Sequence, residues 1–138
     1  MTVATILAAL LSLAPHTPER LAMHHARIIS QIAGDESEAA ALLVTGTRES
    51  SWRLGCVQGI GGAGTYGLGY PYWSWSCAPL KVQAQMSLQA YHDKGAPWNW
   101  HHAIQGYLGA RSRRHPEVQK RIELFEITRE RLECNCCL

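Results

Sequence analysis

The chain has 138 residues, of which 46% are hydrophobic and 17% charged, and a formal net charge of +2 at pH 7. That length is one domain able to bury a core of its own. The composition excludes a disordered or fibrous chain, and no apolar stretch is long enough to span a bilayer as a helix.

Thr2 to Ala14 is apolar and predicts a first helix from about Thr2 to Leu13. It lacks Lys and Arg after Met1, so the positive n-region of a secretory signal is missing. A packed N-terminal helix is the expectation, with a signal peptide as the alternative. Pro15-His16-Thr17-Pro18 breaks this helix, and Thr17 and Pro18 suit the N-cap and first position of a second. That helix carries Leu21, His25, Ile28, Ile29 and Ile32 on one stripe and ends at Gly34. Asp35 caps a third helix, with Glu36 and Glu38 favourable in its first turn. It runs through the apolar segment Ala39–Val44 to about Thr47, and Glu49 falls at or just past its end.

After Glu49 the chain changes character. From Ser50 to His92 there is no carboxylate, and this stretch holds seven of the chain's 12 glycines beside a cluster of Trp and Tyr. Arg53 to Ala78 reads as loop and short hairpins. The glycine run has no Gly-Lys-Ser/Thr ending and no apolar strand before it, so it does not read as a phosphate cradle. Cys56 and Cys77 bracket it, and a disulfide between them would stabilise the loop by about 3 kcal/mol on the chain-entropy account.

Pro79 starts a fourth helix with Leu80, Ala84, Leu88 and Tyr91 on one face, stopped by Gly95. Pro97 starts a fifth, with Trp98, His101, Ile104, Gln105, Tyr107 and Leu108, ended by Gly109. The last helix, from about Pro116 to Cys134, turns Val118, Ile122, Phe125 and Leu132 inward. The expected fold is mainly α, of about six helices in one domain, with an irregular Gly- and aromatic-rich loop or short hairpin inserted after the third.

The positive charge is local. Residues 111–133 carry seven Lys/Arg against five Glu, and the rest of the chain is neutral. No aromatic residue interleaves the Arg111–Arg114 cluster, so it reads as a solvated helix entrance, and no nucleic-acid partner is expected. Cys134, Cys136 and Cys137 crowd the last five residues and suit a tail with reactive thiols, or one bridge back to the body, better than a tetrahedral metal site. His24-His25 and His101-His102 point different ways on their helices. No metal or other cofactor is expected. Trp52, Trp98 and Trp100 read as packing.

Glu49 stands out chemically. A lone acid entering an acid-free aromatic segment is expected to meet apolar surroundings, which disfavour the charged form and raise the pKa toward that of a proton donor. Glycosidases with two carboxylates need the second close by. Here Asp35, Glu36, Glu38 or Asp93 could approach only through the tertiary fold, which favours a single-carboxylate mechanism.

Three segments then occur in order: Glu49-Ser50 after the third helix, Gly64-Thr65-Tyr66-Gly67-Leu68-Gly69 in the loop, and Ala90-Tyr91 at the end of the fourth helix. This order resembles the lysozyme-like superfamily, most closely the soluble lytic transglycosylase type, over roughly residues 39–108. The chain departs from that pattern at Gly69-Tyr70, where an apolar residue and Gln usually stand, and at His92, where Asn follows the Ala-Tyr. The resemblance implies an α+β lysozyme-like fold that cleaves the β-1,4 bond between N-acetylmuramic acid and N-acetylglucosamine, with Glu49 as general acid and then base. It also implies a sugar-binding surface including Ser50, Tyr66, Gly67, Leu68, Tyr70, Trp73, Tyr91 and His92, with Tyr72 and Trp75 as further stacking candidates. Tyr91 alternatively continues the Leu80–Leu88 core stripe, and the Tyr70–Trp75 run alternatively plugs the loop. The partner would be peptidoglycan, and the setting the periplasmic or wall-facing side, a virion, or a secretion assembly. The rival readings are a hydrolase on the same fold and a non-catalytic wall-binding or structural protein.

Overall fold

The computed structural model describes residues 1–56, 58–59 and 62–134 and is mainly helical. Its helices are α1 (Val3–Leu13), α2 (Glu19–Ile32), α3 (Glu36–Ser50), α4 (Leu80–Asp93), α5 (Trp100–Tyr107) and α6 (Pro116–Glu133). Between α3 and α4 lie an antiparallel pair of two-residue strands, β1 (Gln58–Gly59) and β2 (Gly62–Ala63), and a short 3-10 turn at Trp73–Trp75. Gly61 of the glycine run, and Cys136 and Cys137, lie outside the described residues. Cys134 is disulfide-bonded. Among the described residues, no helix is long and apolar enough to cross a membrane.

α3 is the central helix. Asp35 caps it by accepting from the Glu38 N–H at 2.8 Å. Its residues from Ala39 to Gly46 are buried without a break, which marks a helix surrounded by others rather than one with a single wet face. α1 lays Ile6, Ala9 and Leu10 into the same core, α2 adds Ala22, Ala26 and Ile29, and α6 adds Phe125 and Leu132. α6 packs most extensively along α3.

Two helix starts differ from the sequence expectation. α2 has Pro18, not Thr17, at its N-cap. α5 begins at Trp100, because Asn99 accepts a hydrogen bond from the His102 N–H at 3.0 Å and is a better cap than the Ala before Pro97. Trp98 therefore falls in the preceding turn, 94% exposed, and is not the packing residue expected. Trp52 and Trp100 are buried as expected.

The end of α3 is a sharp reversal. Ser51 and Trp52 both take positive φ, 53° and 66°, a region that costs a non-glycine residue about 1–2 kcal/mol. The Trp52 N–H bonds back to the Gly46 carbonyl at 3.3 Å, closing the helix in the manner of a Schellman cap. The reversal folds the Trp52 indole back under Gly46, where a Cβ would lie 2.4 Å from the ring. His25 packs against that indole at 4.7 Å between ring centres, and its Nε2 bonds the Trp52 carbonyl at 3.1 Å. Cys56 and Cys77 form a disulfide that ties the start of the inserted loop to its end.

Candidate active site

Glu49 is the penultimate residue of α3. The reversal beyond it brings the inserted loop back across the helix end. There Ala63 and Leu68 form a bridge, with N···O distances of 3.1 and 2.8 Å, that closes Gly64-Thr65-Tyr66-Gly67 as a four-residue turn. Gly64 and Gly67 hold φ of 80° and 58°, values that favour glycine. The Gln83 side chain of α4 props the turn by accepting from the Thr65 N–H at 3.1 Å while donating to the Ala78 carbonyl at 2.8 Å. The Thr65 hydroxyl donates to the Arg53 carbonyl at 2.8 Å.

The turn rests on the Glu49 carboxyl. A Cβ on Gly67 would stand 2.3 Å from Glu49 Oε2, so only glycine admits this approach. The other oxygen, Oε1, accepts from Arg121 Nη2 of α6 at 2.8 Å. The Glu49 side chain is 24% exposed and the Arg121 side chain 5%. The apolar surroundings expected for Glu49 are thus replaced by a guanidinium on one side and glycine backbone on the other.

Arg121 is the residue that the sequence reading missed. Its Nε donates to Glu117 Oε1 at 2.9 Å, and Glu117 in turn accepts from Arg48 at 3.0 and 2.7 Å. Burial opposes the charge on Arg121, yet Tyr91, Glu49 and Glu117 push it above the ordinary arginine value. The hydrogen bond from Arg48, joined by Arg121 and opposed in part by burial, pulls Glu117 down to about 2. Nη1 of Arg121 is buried without a hydrogen-bond partner. A signal for Arg121 existed: Val118, Arg121, Phe125, Thr128 and Leu132 are all buried at alternating spacings of three and four. An arginine in that stripe needs a buried partner.

Tyr91 lies beside this pair, fully buried, and burial pushes its hydroxyl up to about 12. The Thr45 hydroxyl donates to the Ala41 carbonyl at 2.6 Å, which leaves it to accept from Tyr91 at 2.5 Å. The Tyr91 proton therefore goes to Thr45, not to Glu49. Tyr107, also unnamed as a site candidate, stacks on Tyr91 at 4.2 Å and 13°, and its hydroxyl donates to the Tyr66 carbonyl at 2.7 Å. These contacts join α4, α5 and the turn.

The remaining candidates scatter. The Ser50 hydroxyl is buried and donates to the Gly46 carbonyl at 3.3 Å. Tyr66 is 0% exposed; its ring meets Trp52 edge-on and is closed to a ligand face. Leu68 is buried. Tyr70 is 87% exposed and Trp73 59%, with Trp75 also open, whereas Tyr72 is partly buried against the core, so the run packs through Tyr72 and leaves its other three aromatic rings in solvent. His92 binds Glu38 Oε2 at 2.7 Å and the Ala96 carbonyl at 3.1 Å. Glu38 stands about 16 Å along α3 from Glu49, at 1.5 Å of rise per residue, so His92 and Glu49 form no acid–base pair.

Two hollows flank Tyr70. One, of about 210 Å³, lies between the turn's exit (Leu68, Gly69) and the C-terminal end of α5. The other, of about 440 Å³, lies over the disulfide beside Trp73. Among the described residues, no group of three or more His, Cys, Asp or Glu is arranged to hold a metal. No family model, no curated protein and no solved structure matches this chain.

Proposed function

We propose that this chain is a lysozyme-like lytic transglycosylase that cuts the N-acetylmuramic acid–β-1,4–N-acetylglucosamine bond of peptidoglycan, with Glu49 as its acid and base. The observation that carries the reading is convergence. Glu49, the Gly64–Gly67 turn and Tyr91 stand far apart in sequence, yet they meet at the end of α3, with the Glu49 carboxyl on Gly67 and Tyr107 linking the turn to Tyr91.

The chemistry follows from one carboxyl. Glu49 gives its proton to the glycosidic oxygen as the bond to the muramic C1 breaks, and the glucosamine leaves as an alcohol. The muramic 6-hydroxyl then closes on C1 and returns its proton to Glu49. A 1,6-anhydro sugar forms, no water is consumed, and the carboxyl is regenerated. Oε1 of Glu49 is held by Arg121 and the Gly67 backbone lies against Oε2, and the side chain keeps 24% of its surface open for such a step.

Among the described residues, Glu117 is the one further carboxylate bound to the same guanidinium. Both its oxygens are taken by Arg48 and Arg121, and a carboxylate held near 2 is a poor base for activating water. This supports capture by the substrate's own hydroxyl over hydrolysis by a carboxylate pair. The setting that suits the activity is the periplasmic or wall-facing side of an envelope, or a virion or secretion assembly that opens a wall.

One observation favours a second reading, in which the protein binds wall glycan or builds an assembly without cutting. The Glu49–Arg121 pair ties α3 to α6, a structural task that requires no chemistry. Purified sacculi separate the two. The wild-type protein is expected to clear their turbidity and Glu49→Gln to leave it unchanged, with both giving the same far-UV circular dichroism. Sacculi left intact by a folded wild-type protein would favour the second reading.

A further inference from the structure

Lys94 follows α4 and lines the smaller hollow, of about 210 Å³, which reaches the turn at Leu68, the residue after the Gly67 that lies on Glu49. Its stem lies along α5 at Gly106, where a Cβ would stand 3.0 to 3.2 Å from Lys94 Cβ, Cγ and Cδ. A glycine inside a helix is less favourable than alanine. Here it makes room for the lysine stem to lie against the helix where Lys94 forms part of the hollow's wall.

The wall of the hollow contains no acid. Tyr70, Tyr72 and Tyr107 supply aromatic surface, and Leu68 and Gly69 continue from the turn that rests on Glu49. Among the described residues Lys94 has no ion pair or side-chain hydrogen bond. Its neighbour Asp93 accepts from Gln89 at 2.9 Å, one turn back along α4. An unpaired cation on an acid-free, aromatic-walled hollow calls for a ligand that combines an apolar sugar-like body with a negative charge.

We propose that this hollow takes the acid-bearing arm of a muramic residue, its lactyl-linked peptide, with Lys94 as the partner of the arm's carboxylate. The site would then select acid-substituted glycan over neutral N-acetylglucosamine polymers such as chitin. This rests on the wall-glycan reading and gives it a substrate class.

The test is an NMR titration of the wild-type protein, at low and at physiological salt, with three probes. One is the N-acetylglucosaminyl–N-acetylmuramyl tetrapeptide unit, which lacks the scissile bond. The second is the same unit with its carboxyls amidated and the free amine of its diamino acid acetylated, and the third is chitobiose. The acidic unit is expected to bind about fivefold more tightly than either neutral probe at low salt, the scale of one exposed ion pair, with the gap narrowing as salt rises. Lys94→Met, a change at an exposed position, is expected to remove the gap and leave the neutral affinities unchanged. Equal binding of the three probes by wild type, or a gap that survives in Lys94→Met, would overturn the assignment while leaving the wall-glycan reading in place. No binding of any probe would overturn both.

Discussion

A methyl group added to Gly67 would lie 2.3 Å from Glu49 Oε2 at a φ of 58°. Gly67→Ala therefore has to displace the carboxyl or the turn. It is expected to cost about 1–3 kcal/mol of stability and at least about a hundredfold in sacculus-clearing rate, read by urea denaturation and turbidity. The two sides of the Glu49 ion pair should respond unequally. Glu49→Gln leaves Arg121 its bond to Glu117 and keeps a hydrogen-bond acceptor, so a loss of about 1–2 kcal/mol is expected. Arg121→Met strips the buried cation from two carboxylates at once and is expected to cost about 3–5 kcal/mol in the same denaturation assay. A smaller loss for Arg121→Met than for Glu49→Gln would contradict the network. Of these residues Glu49 and Gly67 are visible in sequence, one as the last acid before an acid-free stretch and one inside a Gly-x-x-Gly-Leu turn. Arg121 is harder to see, because its helix carries charges on every side and its place three and four residues from the inward Val118 and Phe125 is its one mark in the sequence.

At the scale of elements, α3 and the reversal after it place the site. The helix, its Asp35 cap and its apolar run are legible in sequence because local propensity and burial agree there. The reversal is hidden, because Ser51 and Trp52 occupy a backbone region where glycine would be the expected residue. Tertiary packing overrides that preference by burying the Trp52 indole beneath Gly46 and against His25. Gly46→Ala, a change that favours an isolated helix, should here destabilise the protein by about 1–3 kcal/mol, since its methyl would fall 2.4 Å from the indole. A midpoint of thermal unfolding at or above wild type would show that Trp52 is not seated there. α5 teaches the opposite lesson. Pro97 is a sound start signal, but Asn99 outcompetes it, and Trp98 is left in solvent.

For the molecule as a whole, two groups set the response to acid, His25 in the core and Glu117 in a partly exposed ion-pair network. Burial, only partly offset by the hydrogen bond to Trp52, lowers His25 from 6.5 to about 4, so the folded state binds this proton less readily than the unfolded chain. The corresponding stability is fully present above pH 6.5 and is lost as pH falls toward 4. Its size is about 3 kcal/mol. Glu117, also lowered, to about 2, adds a second loss at more acid pH, from about 4.5 downward. Urea denaturation across this range should show falling stability in both steps, and His25→Gln should flatten the first. The mainly helical architecture is readable from hydrophobic period and caps, since most of the core comes from regular helices. The placement of the aromatic loop is not, because it depends on a disulfide, a side-chain prop from Gln83 and a glycine contact across chain segments.

The most direct test of the central claim is mass spectrometry of the products from purified peptidoglycan treated with wild-type protein and with Glu49→Gln. Muropeptides ending in 1,6-anhydromuramic acid, from wild type alone, are the predicted result. Reducing-end muropeptides from wild type would contradict the substrate-captured mechanism and require a water-activating base, and unchanged activity in Glu49→Gln would remove Glu49 from the chemistry.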